Sequence, residues 1–140
     1  MKRTASAVWL GSLKQGNGTV STGNGALNNT AYSFSSRFEN GAGTNPEELI
    51  AAAHAGCFTM ATSASLGKAG FNPEKLSTEA TLNLEQVQGA WTITSIQLRL
   101  KGRVPGISQE KFSEIAADAK VNCPVSRLLK AEITLEAKLE

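Results

Sequence analysis

Two cysteines and one histidine are the residues that could carry nucleophilic or redox chemistry in this chain of 140 residues. Cys57 lies midway along an apolar stretch, and Cys123 directly precedes Pro124 in Asn122-Cys123-Pro124-Val125-Ser126. A proline in the first turn marks a helix start, so Cys123 would meet unpaired amides and a positive helix end, both of which favour a thiolate. Cys57 reads equally well as a buried small hydrophobe. His54, one turn before Cys57, is within reach of that thiol but reads as a helix-surface histidine. Glu47 and Glu48 fit ordinary dipole partners in a first helical turn, and Arg37 fits the solvated face of a strand. A structural zinc site needs four ligands, which two cysteines and one histidine without a CxxC pair do not supply. No serine stands in a nucleophile-elbow setting.

The element that must position Cys57 runs from about Thr44 to Gly70. An Asn or Thr cap, Pro46 in the first turn and two acids agree on its start, and Gly70 with Pro73 beyond supplies its stop. An apolar row through Leu49, Ala53, Cys57, Met60 and Ala64 is expected to be its buried face. The Ala and Gly along it would let a second helix cross closely. Before this helix, Thr4–Leu10 and Thr19–Thr22 form a hairpin about Gly16-Asn17-Gly18, and Tyr32–Phe38 alternates as a strand with Tyr32, Phe34 and Phe38 on one face. After it come a second hairpin, Leu76–Val87 with Trp91–Val104 about Gln88-Gly89, and a helix capped by Ser108 whose buried stripe is Phe112, Ile115, Ala116 and Ala119. A short helix opens at Pro124, and a final strand, Ala131–Leu139, has one wet face. Strand groups interrupted by a few helices predict an α+β fold with mainly antiparallel pairing.

The length predicts a single domain over 1–140, with a core that needs no disulfides. Two distant cysteines and a start, Met1-Lys2-Arg3-Thr4-Ala5-Ser6, that lacks an apolar run point to a reducing, cytoplasmic setting. The most apolar stretch reads as too short to span a bilayer and contains His54, so no membrane role is expected. A net charge of +2 is dispersed along the chain and aromatics are few, which gives no electrostatic footprint for nucleic acid.

Four segments together carry a resemblance: Arg37-Phe38-Glu39; Gly43-Thr44-Asn45-Pro46-Glu47-Glu48-Leu49; Ala52-Ala53-His54-Ala55-Gly56-Cys57-Phe58; and Asn122-Cys123-Pro124-Val125-Ser126 with Leu129-Lys130-Ala131. In this order they resemble the OsmC/Ohr family of thiol peroxidases over essentially the whole chain. His54 and the placing of Arg37 look more like the OsmC branch than the organic-hydroperoxide-resistance branch.

The resemblance implies an α+β, intertwined homodimer with antiparallel sheets around a central cysteine-bearing helix. It implies reduction of organic hydroperoxides, with hydrogen peroxide as a further substrate, in oxidative and osmotic stress defence. Cys57 would be the peroxidatic thiolate, oxidised to a sulfenic acid, and Cys123 would resolve it as a disulfide. Arg37 would stabilise the thiolate and bind the peroxide while Glu47 holds the guanidinium by a bidentate pair. No bound cofactor or metal is implied. The reductant would be an external dithiol, which is a lipoyl group in the organic-hydroperoxide branch. Two other readings use the same fold: a thiol redox sensor, and a non-catalytic stress-linked binding protein. Helix arithmetic adds that Glu47 and Cys57, ten residues apart on one helix, are about 15 Å apart along its axis, so a site using both would be shared between subunits.

Overall fold

Asn45 begins the longest element of the protein. Its Oδ1 accepts the Glu48 backbone N–H at 2.8 Å, and helix α2 then runs over Pro46–Lys68. In the computed structural model, which describes residues 1–140, the chain divides into two units, Met1–Leu49 and Ile50–Glu140, with the boundary near the start of this helix.

The first unit contains a three-stranded antiparallel sheet in the order β1 (Ala5–Leu10), β2 (Asn17–Thr22) and β3 (Thr30–Tyr32). The first hairpin therefore forms as expected, with Leu10 opposite Asn17. The alternating stretch after it does not continue as a strand. The extended run stops at Tyr32, Ser33 becomes an N-cap, and Phe34–Phe38 is a short helix, α1. A reciprocal capping box overrides the period-two pattern: Ser33 Oγ accepts the Ser36 amide at 3.1 Å and Ser36 Oγ accepts the Ser33 amide at 2.8 Å. Arg37 consequently sits in the last turn of a helix instead of on the wet face of a strand. The loop that follows is tied back by Ser36, whose hydroxyl donates to the Thr44 carbonyl at 2.7 Å, and by Asn45, whose amide donates to the Ser36 carbonyl at 3.0 Å.

The second unit contains the remainder of α2, a sheet ordered β4 (Lys75–Val87), β5 (Ala90–Arg103) and β6 (Glu132–Leu139), and the helices α3 (Gln109–Asn122) and α4 (Pro124–Leu128). The β4–β5 hairpin turns on Gln88 and Gly89, both at positive φ (50° and 83°), as a two-residue loop matched to strand twist requires. Strand β6 lies parallel to β5, with Ile96 beside Ile133 and Leu98 beside Leu135. The pairing is thus mainly antiparallel with one parallel pair. That pair follows from connectivity, since α3 and α4 form the crossover between its strands.

The core of this unit joins Ile96, Leu98 and Leu100 of β5 to Phe112, Ile115, Ala116 and Ala119 of α3 and to Phe58 and Leu66 of α2. Ser108 caps α3 as expected, accepting the Lys111 amide at 3.1 Å. The buried row of α2 differs from the expected one. His54, Phe58, Thr62 and Leu66 are buried, whereas Ala53, Met60 and Ala64 are exposed and Cys57 is half-buried. An all-apolar helix offers several candidate faces, and the one buried presents its bulkiest side chains while pairing its polar atoms. Thr62 Oγ1 donates to the Phe58 carbonyl at 2.9 Å, and His54 bonds Ser126. At 23 residues, with a mean hydropathy of 1.3 over its most apolar window, α2 is long and apolar enough to cross a membrane, which corrects the expectation from length. Its row of core side chains identifies it as the core helix of this unit.

Strand β5 also carries a close approach that tests the packing. A Cβ added at Gly102 would lie 2.5 Å from Phe112 Cζ and 2.7 Å from Cε2, and the ring is fully buried. Gly102→Ala should destabilise the protein by about 1–3 kcal/mol through overpacking, read as a lower midpoint in urea at unchanged slope. A midpoint equal to that of the parent protein would show that Phe112 is free to move aside.

Candidate active site

In the second unit the two cysteines meet. Cys57 projects from the middle of α2, Cys123 is the last residue before α4, and their Sγ atoms are 3.0 Å apart with both thiols free. A disulfide needs a sulfur separation of about 2.0 Å, so a shift of about 1 Å would close one. Cys123 is fully buried and Cys57 only partly, so Cys57 is the more accessible of the two.

The surroundings of the two thiols differ. Burial pushes the Cys57 thiol up, the Cys123 sulfur adds to this through its hydrogen bond and its charge, and the Val125 amide acts the other way. Burial also works to raise Cys123, but hydrogen bonds from Cys57, from the Ser126 and Val125 amides and from the Ser126 hydroxyl outweigh it and draw that thiol down. The two thiols are thus made unequal, with Cys123 the more acidic and Cys57 the less, and their two ionisations belong to the pair.

His54 is fully buried, which corrects its reading as a surface residue. Its Nε2 lies 2.8 Å from Ser126 Oγ, and its pKa is lowered by burial. Neither His54 in this position nor Ser126 stood out as functional in the sequence. A signal was present in the spacing. His54 precedes Cys57 by three residues and Ser126 follows Cys123 by three, so two helices that bring the cysteines together also bring this second pair together.

In the first unit Arg37 and Glu47 form a forked pair. Arg37 Nη2 donates to Glu47 Oε1 at 2.7 Å, and Nε is 3.0 and 3.2 Å from Oε1 and Oε2. Glu47 is the more covered partner, with 12% of its side chain exposed against 37% for Arg37. The guanidinium also stands 5.0 Å from the centre of the Phe38 ring. Arg37 lines an open cavity of about 300 Å³ with Trp9, Leu13, Tyr32, Phe34 and Phe38. Phe34 and Phe38, expected on one face of a strand, both line this cavity. Phe58 is instead wholly within the core of the second unit, and Met60 is 76% exposed. Trp9 and Tyr32, whose rings are tilted together at 5.3 Å, complete the aromatic lining of the cavity. No group of three or more His, Cys, Asp or Glu side chains is placed to hold a metal ion.

A family model described as OsmC-like protein matches residues 39–138. The chain is 52% identical over 134 residues to peroxiredoxin OsmC of Escherichia coli (strain K12), covering 96% of this chain and 94% of that protein. It is 30% identical over 100 residues to the organic hydroperoxide resistance protein of Xanthomonas axonopodis pv. citri (strain 306), covering 71% of this chain and 68% of that one. Among solved structures, an OsmC-like protein of unknown function from Vibrio cholerae matches with a TM-score of 0.79 at 18% identity, over 98% of this chain and 99% of that chain. The organic hydroperoxide resistance protein OhrB of Bacillus subtilis matches with a TM-score of 0.68 at 21% identity, over 98% of each chain. These two likenesses establish the α+β fold. The family match over most of the chain, together with the near full-length identity to a curated relative, shows that this protein belongs to the OsmC family.

Proposed function

We propose that this protein is a thiol peroxidase that reduces organic hydroperoxides through Cys57 and Cys123. The observation that carries the reading is the 3.0 Å contact between the two free sulfurs. Cys57, as the more accessible thiol, attacks the O–O bond. Its sulfur becomes a sulfenic acid while the peroxide leaves as an alcohol. Cys123 then displaces hydroxide from that sulfur to form the disulfide, and an external dithiol, such as a lipoyl group, restores both thiols by exchange. No bound cofactor takes part. The apolar cavity beside Arg37 supports organic hydroperoxides as the preferred substrates over hydrogen peroxide, because an alkyl or aryl group gains by entering it.

Burial and the neighbouring sulfur hold the proton on Cys57, so attack requires a cation at the thiol. Arg37 is the residue assigned to that task, with Glu47 fixing its plane. Glu47 and Cys57 are carried by the same helix α2, about 15 Å apart along its axis. The Arg37–Glu47 pair is therefore assigned to the Cys57 of the partner subunit in a two-fold homodimer. The exposed α2 row of Ala52, Ala53, Gly56, Met60 and Ala64 supports this arrangement, since small side chains allow another helix to approach closely. Two free thiols suit a reducing, cytoplasmic setting, where the dithiol reductant is supplied.

Two experiments test these assignments. With a lipoyl dithiol, wild-type protein should consume many equivalents of cumene hydroperoxide and do so faster than hydrogen peroxide; a sensor would stop after one oxidation. Cys57→Ser should lose turnover, and Cys123→Ser should react once and then proceed to sulfinic acid in excess peroxide. A fully active Cys123→Ser protein would remove its resolving role. For the shared site, Cys57→Ser and Glu47→Ala homodimers should each be nearly inactive. Chains of the two variants refolded together should regain about a quarter of wild-type sites, since half the dimers are mixed and one site in each of those is complete. No recovery from proven mixed dimers would place both residues in one chain.

A further inference from the structure

The contacts at the thiol pair extend beyond the two sulfurs. Cys57 Sγ meets Cys123 Sγ at 3.0 Å, Cys123 directly precedes α4, in which Ser126 lies three residues on, and Ser126 Oγ lies 2.8 Å from His54 Nε2. The Ser126 hydroxyl is among the groups that draw the Cys123 thiol down. His54 and Cys123 are fully buried and Ser126 nearly so. The other ring nitrogen, His54 Nδ1, is buried with no hydrogen-bond partner.

This arrangement selects one tautomer. If the proton were on Nδ1, a buried N–H would be orphaned, and Ser126 would have to spend its only hydrogen on Nε2. With the proton on Nε2, the orphan is a bare lone pair, His54 donates to Ser126 Oγ, and the hydroxyl hydrogen is directed at Cys123. We propose that His54 and Ser126 are positioning residues for the resolving step, a buried relay in which the His54 Nε2–H orients the Ser126 hydroxyl toward the Cys123 sulfur and keeps that sulfur ready to attack. The inference rests on the peroxidase reading of the cysteine pair.

The relay has opposite consequences for the two steps. The relay acts when Cys123 is ionised and the proton of the pair is on Cys57, the distribution that the groups around the two sulfurs favour. When Cys57 attacks, its S–O bond forms, the peroxide O–O bond breaks, and the Cys57 proton passes to the departing alkoxide. Cys123 is left as a thiolate. Its lone pair then forms the S–S bond as the Cys57 S–O bond breaks, and the oxygen leaves to solvent as hydroxide. A hydrogen bond that stabilises the Cys123 thiolate therefore favours resolution while holding the proton on Cys57 against the first step. A merely structural contact would slow both steps alike.

The test separates the two rates in a single turnover with cumene hydroperoxide, following sulfenic acid by dimedone trapping and the disulfide by mass spectrometry. Ser126→Ala and His54→Ala should form sulfenic acid at least as fast as wild type but close the disulfide roughly ten- to a hundredfold more slowly, the range for losing a hydrogen bond to a charged group. Ser126→Thr, which keeps the hydroxyl, and His54→Gln, which keeps an amide N–H at a similar reach, should restore much of the closing rate. Equal slowing of both steps, no slowing of either, or failure of both rescues in folded protein would overturn the relay. Nitrogen-15 NMR of the wild-type imidazole decides the same point without any variant: protonated Nε2 is expected, and protonated Nδ1 would overturn it. A protein that forms neither sulfenic acid nor disulfide would defeat the peroxidase reading, and the tautomer would still decide the relay.

Discussion

The contact between the sulfurs of Cys57 and Cys123 is the constraint on which the proposed chemistry of this protein depends. The cysteines are 66 residues apart in sequence, and their meeting is enforced by the packing around each. Cys57 adjoins Phe58, a fully buried ring, and Cys123 is locked to the end of α3, its amide donating to the Ala119 carbonyl at 2.9 Å. Replacing a core aromatic by Ala costs about 3–5 kcal/mol in well-packed interiors, so Phe58 anchors this face of α2 more firmly than any single polar contact could. Close packing then fixes the sulfur separation, because a densely filled core leaves few alternative positions.

Proximity alone would leave two inert thiols, since burial raises the pKa of each. The short helix α4 breaks that symmetry by offering two amides and a hydroxyl to Cys123 and one amide to Cys57. Sulfurs of similar intrinsic acidity thus become an unequal pair, which suits the proposed reaction in which one is oxidised and the other displaces hydroxide from it. The proposed reaction also needs a cation for the attacking sulfur, the role proposed for Arg37, whose planar guanidinium is held by Glu47 at two of its nitrogens.

Much of this was legible in the sequence where local rules act alone. The caps at Asn45 and Ser108, the turn at Gln88-Gly89, the stripe of α3 and the placing of Cys123 before a helix-opening proline follow from short-range chemistry, and the structure has each of them. Local rules in competition were harder to read. Tyr32–Phe38 alternates as a strand, yet Ser33 and Ser36 bond each other's backbone and turn the stretch into a helix. On α2, Ala, Gly and Cys give no strong preference between faces, so the buried row was set by Phe58 and Leu66 together with polar partners that lie far along the chain. Ser126 is 72 residues from His54, and no local pattern could show that this histidine is buried. The joint roles of Arg37, Glu47, Cys57 and Cys123 came from family resemblance, because residue spacing alone left bland readings open for each of them.

The most direct measurement of the central claim is a stoichiometric titration of the reduced protein with cumene hydroperoxide, followed by proteolysis without reductant and mass spectrometry. If the sulfur contact is the working pair, one equivalent per chain removes both thiols and yields a peptide that links Cys57 to Cys123 within a single chain. Accumulation of a sulfinic acid on Cys57 beside an unreacted Cys123, or a disulfide between chains, would contradict it.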